Sequence, residues 1–261
     1  MKLFSIFGNP VSHSISPLLH NSAIKALTLN ACYGRFLLEE GEEIIRKFNS
    51  LNLSGANVTI PHKEWAYKKC DEAKGIAKNI EAVNTLVKED NKVIGYNTDA
   101  PGFYESIKEF KEIKNALILG AGGTTKAIAY ILREKGINVT ILNRSSKRLE
   151  FFQNRGFECY SWDDFSPENY SLVINATSAG LNNNSLPYEE KRLKDIFNTS
   201  KYAIDIIYGK ETPFLKLAKS NNLTCKNGKD MLLYQAVLAF NLFYGNRLSQ
   251  KIIEESMKKV F

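Results

Sequence analysis

Short apolar runs alternate along the chain with stretches whose apolar residues recur every three or four positions, and this rhythm predicts β-α units around mostly parallel sheets. The first run, Lys2 to Phe7, is followed by Ser16-Pro17 and then by Leu19, Ala23 and Leu27. Ser16 is placed to cap a helix, Pro17 suits its first turn, and the spacing of four builds one apolar face. Further strands are predicted at Tyr33 to Leu38 and Ala56 to Ile60, with a hairpin of Ala82 to Val87 and Val93 to Tyr96 turning at Glu89-Asp90-Asn91. A second block opens at Asn115 to Leu119 and repeats strand and helix through Val139 to Leu142, Ser171 to Ala176 and Tyr202 to Tyr208, the rhythm of a nucleotide-binding domain. After a helical stretch near Phe214 to Ala218 the chain reaches Asn227-Gly228. It then enters a long apolar-rich helix, from about Met231 to Tyr244, and a final amphipathic one. Leu232, Leu233, Ala236, Val237 and Phe240 of the long helix are expected to face the core of the first block.

Composition narrows the class. A chain of 261 residues predicts one large or two modest domains, and 44% hydrophobic with 24% charged residues excludes a disordered or collagen-like chain. The 35 Lys+Arg against 28 Asp+Glu give a net charge of +7, which suits an anionic substrate or cofactor as readily as nucleic acid. No long run of basic residues is present, so no nucleic-acid partner is expected. Cys32, Cys70, Cys159 and Cys225 are too far apart for a C-x-x-C ligand pair and are expected to be reduced, partly buried thiols of a cytoplasmic protein. The opening apolar run is too short for a secretion signal, nothing downstream approaches ~18 consecutive apolar residues, and no membrane association is expected. His13, His20 and His62 lack ligand spacing; no metal is expected, and the three are read as hydrogen-bonded near the polar loops.

The clearest chemical signal is Gly120-Ala121-Gly122-Gly123, directly after an apolar strand and directly before the helical pattern Thr125 to Lys135. Glycines there let the backbone turn tightly and approach a pyrophosphate, whose charge meets the exposed N–H groups and positive end of the helix. The third glycine of the generic fingerprint is replaced by Thr125. At the end of the next strand, where a carboxylate usually holds a ribose lacking a 2′-phosphate, the chain reads Asn143-Arg144-Ser145-Ser146-Lys147-Arg148. The guanidinium groups of Arg144 and Arg148 match a phosphate in charge and fork geometry, which favours NADP over NAD.

The first block contributes polar segments at its strand ends: Gly8 to Pro17, Asn57 to Lys63, Asn84-Thr85 and Asn97-Thr98-Asp99. Their hydroxyls, amides, one Lys and one Asp suit a small polyhydroxylated anion, while each taken singly is also an ordinary cap or turn residue. Together these residues carry a resemblance. Gly8-Asn9-Pro10-x-x-His13-Ser14-x-Ser16-Pro17, Asn57-Val58-Thr59-x-Pro61-x-Lys63, Ala82-Val83-Asn84-Thr85, Gly95-x-Asn97-Thr98-Asp99-x-x-Gly102, Gly120 to Gly123, Asn143-Arg144, Asn175-Ala176-Thr177-Ser178-x-Gly180, Asp205-x-x-Tyr208 and Gly228-x-x-Met231-x-x-x-Gln235-Ala236 stand in order, and the chain closely resembles the shikimate dehydrogenase family from end to end.

That resemblance implies two α/β domains: a mostly parallel substrate domain at 1–101 completed by the C-terminal helices at 228–261, and a Rossmann-type NADP domain at 102–227. It implies reversible NADPH-dependent reduction of 3-dehydroshikimate to shikimate on the way to aromatic amino acids. Lys63 and Asp99 would form the catalytic pair, with the formal proton donor of the two left open. Ser14, Ser16, Thr59, Lys63, Asn84, Asp99, Tyr208 and Gln235 would contact substrate, with Asn57 nearby. The cofactor would meet Gly120, Ala121, Gly122, Gly123 and Thr124 at its pyrophosphate. Asn143, Arg144, Ser145, Ser146, Lys147 and Arg148 would surround its adenosine phosphate, and Ile206, Gly228 and Met231 its nicotinamide end. Two alternatives stay open at this point, a quinate/shikimate dehydrogenase and a non-catalytic dinucleotide-binding sensor, and so does a homodimer as the assembly.

Overall fold

The computed structural model describes residues 1–260, which form two units: Met1–Phe103 together with the segment from Leu232 onward, and Tyr104–Met231. The first unit opens with β1 (Lys2–Gly8), α1 (Ser16–Ala26) and β2 (Ala31–Leu37), followed by α2 (Ile44–Ser50), β3 (Gly55–Val58), α3 (Lys63–Lys69), β4 (Glu72–Ala73) and α4 (Ile76–Ile80). It continues through β5 (Thr85–Glu89), β6 (Lys92–Tyr96) and the start of α5 (Asp99–Ile107). Its six strands are ordered β2-β1-β3-β5-β6-β4. The pairs around β1 and the β4–β6 pair are parallel, whereas β3–β5 and β5–β6 are antiparallel.

The second unit carries β7 (Asn115–Leu119), α6 (Gly123–Glu134), β8 (Asn138–Asn143), α7 (Glu150–Gln153), β9 (Glu158–Ser161) and β10 (Leu172–Asn175). After these come α8 (Glu190–Phe197), β11 (Tyr202–Asp205), α9 (Pro213–Ser220) and β12 (Thr224–Lys226). Its six strands are all parallel, in the order β12-β11-β10-β7-β8-β9. This is the doubly wound order whose direction reverses between β7 and β10, where such sheets bind nucleotides. The chain then returns to the first unit within α10 (Lys229–Phe243) and ends in α11 (Gln250–Lys258).

Apolar burial explains the return. Leu233, Ala236, Val237, Phe240 and Phe243 of α10 and Ile253 and Met257 of α11 join Phe4, Ile6, Leu19 and Ala23 in one buried cluster, with Leu232 packed at its edge. The opposite face of the first sheet is covered by Ile44, Phe48, Ala66 and Ala77 around Phe7, Val58 and Leu86. The β5–β6 turn closes on the pair Glu89–Lys92, with Asp90 at a φ of 52°.

Three local expectations need correction. Ser16 does not cap α1: the helix starts at Ser16 itself, and it is the Ser14 hydroxyl that accepts the Ser16 N–H, at 3.3 Å. The strand expected from Ala82 begins only at Thr85. Before it, Val83 donates its N–H to the Lys63 carbonyl and Asn84 donates to the Tyr96 carbonyl, which spends this segment on joining three elements. Cys32, expected to be partly buried, is exposed on the edge strand β2.

Candidate active site

In the first unit the polar segments follow the carboxyl ends of β1, β3 and β6, so that Lys63 opens α3 and Asp99 opens α5. Their side chains meet: Lys63 Nζ lies 2.6 Å from Asp99 Oδ2, and the two side chains are only 17% and 11% exposed. A charge pair so enclosed needs its remaining polar atoms met. Asn84 Nδ2 supplies one of them, donating to Asp99 Oδ1 at 2.9 Å. The orientation of that amide is fixed by the Thr98 backbone N–H, which can only donate and does so to Asn84 Oδ1 at 2.8 Å; the Thr85 hydroxyl donates to the same oxygen at 2.9 Å. Both Asp99 oxygens are thus acceptors, one from an ammonium and one from an amide. Asn97 holds the helix start, its Oδ1 accepting the Ala100 N–H at 3.1 Å.

Asn57 lies in the same network, turned inward. Its Oδ1 accepts the Tyr33 hydroxyl at 2.7 Å, and its Nδ2 donates to the Asn84 carbonyl at 3.3 Å and to Thr85 Oγ1 at 3.2 Å. Ser14 and Ser16 form a second cluster, both buried, with hydroxyl oxygens 3.2 Å apart. Arg35 clamps this loop by donating to the Ser14 carbonyl from Nε at 2.9 Å and from Nη2 at 2.5 Å. Thr59 is half-buried just past β3 and donates its N–H to Phe7 at 2.9 Å. Gln235 sits half-buried on α10, its Nε2 donating to the Leu232 carbonyl at 3.0 Å. A Cβ at Gly102 would stand 2.6 Å from the Gln235 nitrogen, so only glycine lets this turn of α5, which opens on Asp99, lie against Gln235. Among the described residues, Thr59 and Gln235 make no hydrogen bond to the Lys63–Asp99 network.

The histidine expectation fails at His20. Both of its ring nitrogens are buried without a partner among the described residues, and burial lowers its pKa to about 3. The ring instead stacks on Tyr33, with centroids 4.2 Å apart and planes within 5°. His62 does make a hydrogen bond, Nε2 to the Leu38 carbonyl at 2.7 Å, while His13 is exposed.

In the second unit a cavity of about 460 Å³ opens at the carboxyl ends of β7, β8 and β10. Gly120, Ala121, Gly122, Asn143, Arg144 and Arg148 line it, as the glycine loop and its neighbouring strand lead one to expect. Gly120 takes a φ of +104°, and a Cβ there would come within 2.9 Å of Thr177 Cγ2, so the tight turn is reserved for glycine. The missing third glycine also has an account: Thr125 Oγ1 donates to the Gly120 carbonyl at 3.0 Å and accepts the Gly122 N–H at 3.3 Å, tying the loop to the first turn of α6. Neither Arg144 nor Arg148 has a carboxylate partner among the described residues, and both are exposed. An open glycine turn at a helix N-terminus with two free guanidinium groups fits a dinucleotide bearing an extra phosphate.

Other expected cofactor residues lie off this cavity's lining. Gly123 and Thr124 are in the first turn of α6, and Ser145, Ser146 and Lys147 lie on the exposed side of the segment after β8. Ile206 follows β11, Gly228 donates its N–H to Ile207 at 3.1 Å, and Met231 is half-buried on α10. Tyr208, with 36% of its surface exposed, follows a buried network in which Asp205 accepts from Asn175 at 2.9 Å, Thr212 at 2.6 Å and the Ile207 N–H at 3.0 Å. Burial pushes the Asp205 carboxyl above its ordinary range, against these donors. Trp162, Asn183 and Ser185 also line the cavity and were not singled out from the sequence, and Thr177 and Ser178, quoted there as part of a motif, were given no role. Thr177 and Ser178 follow an apolar strand in Asn175-Ala176-Thr177-Ser178, the same strand-to-loop grammar that marks Gly120.

A family model described as the shikimate dehydrogenase substrate binding domain matches residues 6–86. The NADP(+) shikimate dehydrogenase of Helicobacter hepaticus is 52% identical over 96% of this chain and 94% of its own length. That of Helicobacter pylori is 47% identical over 100% of this chain and 99% of its own. Among solved structures, a shikimate 5-dehydrogenase from Thermus thermophilus in complex with NADP(H) and shikimate aligns with a TM-score of 0.87 at 32% identity, covering 100% of both chains. Fold, glycine loop and enclosed lysine–carboxylate pair define an NADP-dependent oxidoreductase. More narrowly, the chain belongs to the shikimate dehydrogenase family. None of these relatives favours the quinate-accepting or non-catalytic alternatives.

Proposed function

We propose that this chain catalyses the reversible, NADPH-dependent reduction of 3-dehydroshikimate to shikimate in the cytoplasm. The observation that carries the reading is the enclosed Lys63–Asp99 contact of 2.6 Å, set among the polar loops of the first unit. NADPH supplies the hydride when bound. As the substrate ketone is reduced, negative charge develops on its oxygen, and an ammonium within reach stabilises that charge and delivers the proton. Lys63 is that group; Asp99, an acceptor on both oxygens, orients the ammonium and takes a hydrogen bond from a neighbouring substrate hydroxyl. Lys63 is therefore the proton donor in the reducing direction and the acceptor in the oxidising one.

The assignment of the remaining contacts follows chemistry and motif together. The paired hydroxyls of Ser14 and Ser16 suit a carboxylate, and Thr59, Asn84 and Gln235 suit ring hydroxyls, to which the family motif adds Tyr208. Asn57 has its amide spent inside the protein and serves the substrate through Asn84. The unit Met1–Phe103 with the final helices is assigned to substrate. The unit Tyr104–Met231 is assigned to NADP, with Gly120 to Thr124 at the pyrophosphate, Asn143 to Arg148 at the adenosine phosphate, and Ile206, Gly228 and Met231 toward the nicotinamide. The cytoplasmic address rests on four unpaired cysteines.

Lys63→Ala tests the reading. It is expected to lower kcat for shikimate oxidation by about a thousandfold or more while shikimate binding, read by calorimetry, changes little, since the lost interaction belongs chiefly to the transition state. A variant with wild-type kcat and only a raised KM would remove Lys63 from the chemistry.

A further inference from the structure

The network behind Asp99 contains two side chains that no role in the reaction yet accounts for. Tyr33 lies on β2, an edge strand, yet its side chain is 4% exposed and held from several sides. Asn21 of α1 clamps its backbone, accepting the Tyr33 N–H at 3.0 Å and donating to its carbonyl at 2.9 Å. The preceding residue, His20, stacks flat on its ring at 4.2 Å. Such anchoring leaves the phenol oxygen one position, 2.7 Å from Asn57 Oδ1. A phenol facing an amide oxygen must donate, and burial, which pushes the Tyr33 pKa well up, keeps that proton in place.

From there the hydrogen bonds run on toward Asp99, with two backbone groups of fixed role beside the hydroxyls: the Asn84 carbonyl, which accepts from Asn57, and the Thr98 N–H, which donates to Asn84 Oδ1. With its oxygen committed to Tyr33, Asn57 turns its nitrogen to the Asn84 carbonyl and to Thr85 Oγ1. Thr85, fully buried, accepts from Asn57 on one side and donates to Asn84 Oδ1 at 2.9 Å, nearer than its other oxygen neighbour, Thr98 Oγ1 at 3.3 Å. That leaves the Asn84 nitrogen for Asp99. A flipped Asn84 would set its oxygen against the Asp99 carboxylate and lose the placement of the lysine's partner.

We propose that Tyr33 and Thr85 are positioning residues of the reaction, which together with the Thr98 N–H hold the Asn57 and Asn84 amides so that the Asn84 N–H faces Asp99, and so fix the Lys63–Asp99 geometry. The proposal rests on Lys63 and Asp99 being the catalytic pair. It predicts that hydroxyls rather than volume matter at both positions, and substitution separates the two. Thr85→Val keeps the shape and removes the hydroxyl; Thr85→Ser keeps the hydroxyl and opens a methyl-sized gap; Tyr33→Phe removes one oxygen from an anchored ring.

The experiment compares kcat, the KM for NADP+ and the thermal unfolding midpoint for these variants, for the Tyr33→Phe/Thr85→Val double variant and for Lys63→Ala, in shikimate oxidation by the full chain. Thr85→Val and Tyr33→Phe are expected to lose about tenfold or more in kcat with the KM for NADP+ unchanged, as misplacement of a reacting group does. Thr85→Ser should keep kcat within about twofold while lowering the midpoint by a few degrees. The double variant should fall no further than the worse single one, since both act along one path. Wild-type kcat in Thr85→Val, or a Thr85→Ser as slow as Thr85→Val, would overturn the proposal. Should Thr85→Val not fold, Tyr33→Phe decides alone, and wild-type kcat there overturns it. Full turnover in Lys63→Ala would instead overturn the catalytic pair, which distinguishes the two failures.

Discussion

At the scale of single residues, charge and burial make separate demands. Arg144 is exposed, lines the cavity after β8 and has no carboxylate partner among the described residues. Arg144→Asp should raise the KM for NADP+ by about ten- to a hundredfold, the equivalent of one charge-assisted hydrogen bond, and improve the use of NAD+. An unchanged ratio of the two cofactors in steady-state kinetics would mean that the phosphate is read by Arg148 or Lys126 instead. His20 gives a pH prediction. Its pKa falls from 6.5 to about 3 in the folded chain, so the unfolded chain takes up the proton first as the pH drops below 6.5. Stability is therefore fully present above that pH and is lost as the pH falls, by about 2 kcal/mol at pH 5 from this group alone. His20→Phe, which keeps a ring against Tyr33, should flatten the acid side of a plot of denaturation midpoint against pH; an unaltered slope would show that His20 titrates normally. The sequence did not reveal this environment, because the spacing of His20 on α1 matches both a buried and a loop-facing position, and only the packing of Tyr33, Phe240 and Phe243 around the ring decides it.

At the scale of elements, legibility followed burial. The central strand β7 was readable to the residue because it is apolar from Ala116 on and bounded by Gly120, and α10 was readable because Leu233, Ala236, Val237 and Phe240 repeat at helical spacing. The short strands β4, β9 and β12 carry half-exposed, mixed residues such as Glu158-Cys159-Tyr160-Ser161, and they form only because a finished neighbour offers an edge. Likewise α3 was hidden inside what reads as a polar loop: it begins on Lys63, so the lysine of the proposed catalytic pair is also the first residue of its helix. The β7–α6 turn yields a further test. At a φ of +104°, Gly120→Ala is expected to cost about 1–3 kcal/mol through backbone strain and the contact with Thr177. It should weaken NADPH binding in a fluorescence titration while shikimate binding, read by calorimetry, stays as in wild type. Undiminished NADPH affinity would mean that the turn tolerates a side chain and is not shaped for a phosphate.

For the whole molecule, the sequence motifs pointed to Lys63, Asn84 and Asp99, with Asn57 near them, as residues for the substrate; they quoted Thr85 without a role and left out Tyr33. Neither residue announces a role by itself: a tyrosine in an edge strand and a threonine at a strand start are ordinary, and their meaning comes from the hydrogen bonds they make to Asn57 and Asn84. The division of labour in the chain is nonetheless simple. One unit holds an enclosed ammonium–carboxylate pair among hydroxyls and amides, and the other holds a glycine turn beside the exposed guanidinium groups of Arg144 and Arg148. The claim that joins them is that hydride passes between NADP and the carbon bearing a shikimate hydroxyl. Its most direct test is the initial rate of absorbance change at the reduced-nicotinamide band with shikimate or quinate as substrate and NADP+ or NAD+ as acceptor. Rapid reduction of NADP+ by shikimate, with the other three combinations slower by about tenfold or more, is the predicted result, since rejection of either analogue leaves a polar or charged group without its partner. No reduction of NADP+ by shikimate, or equal rates with NAD+, would contradict it.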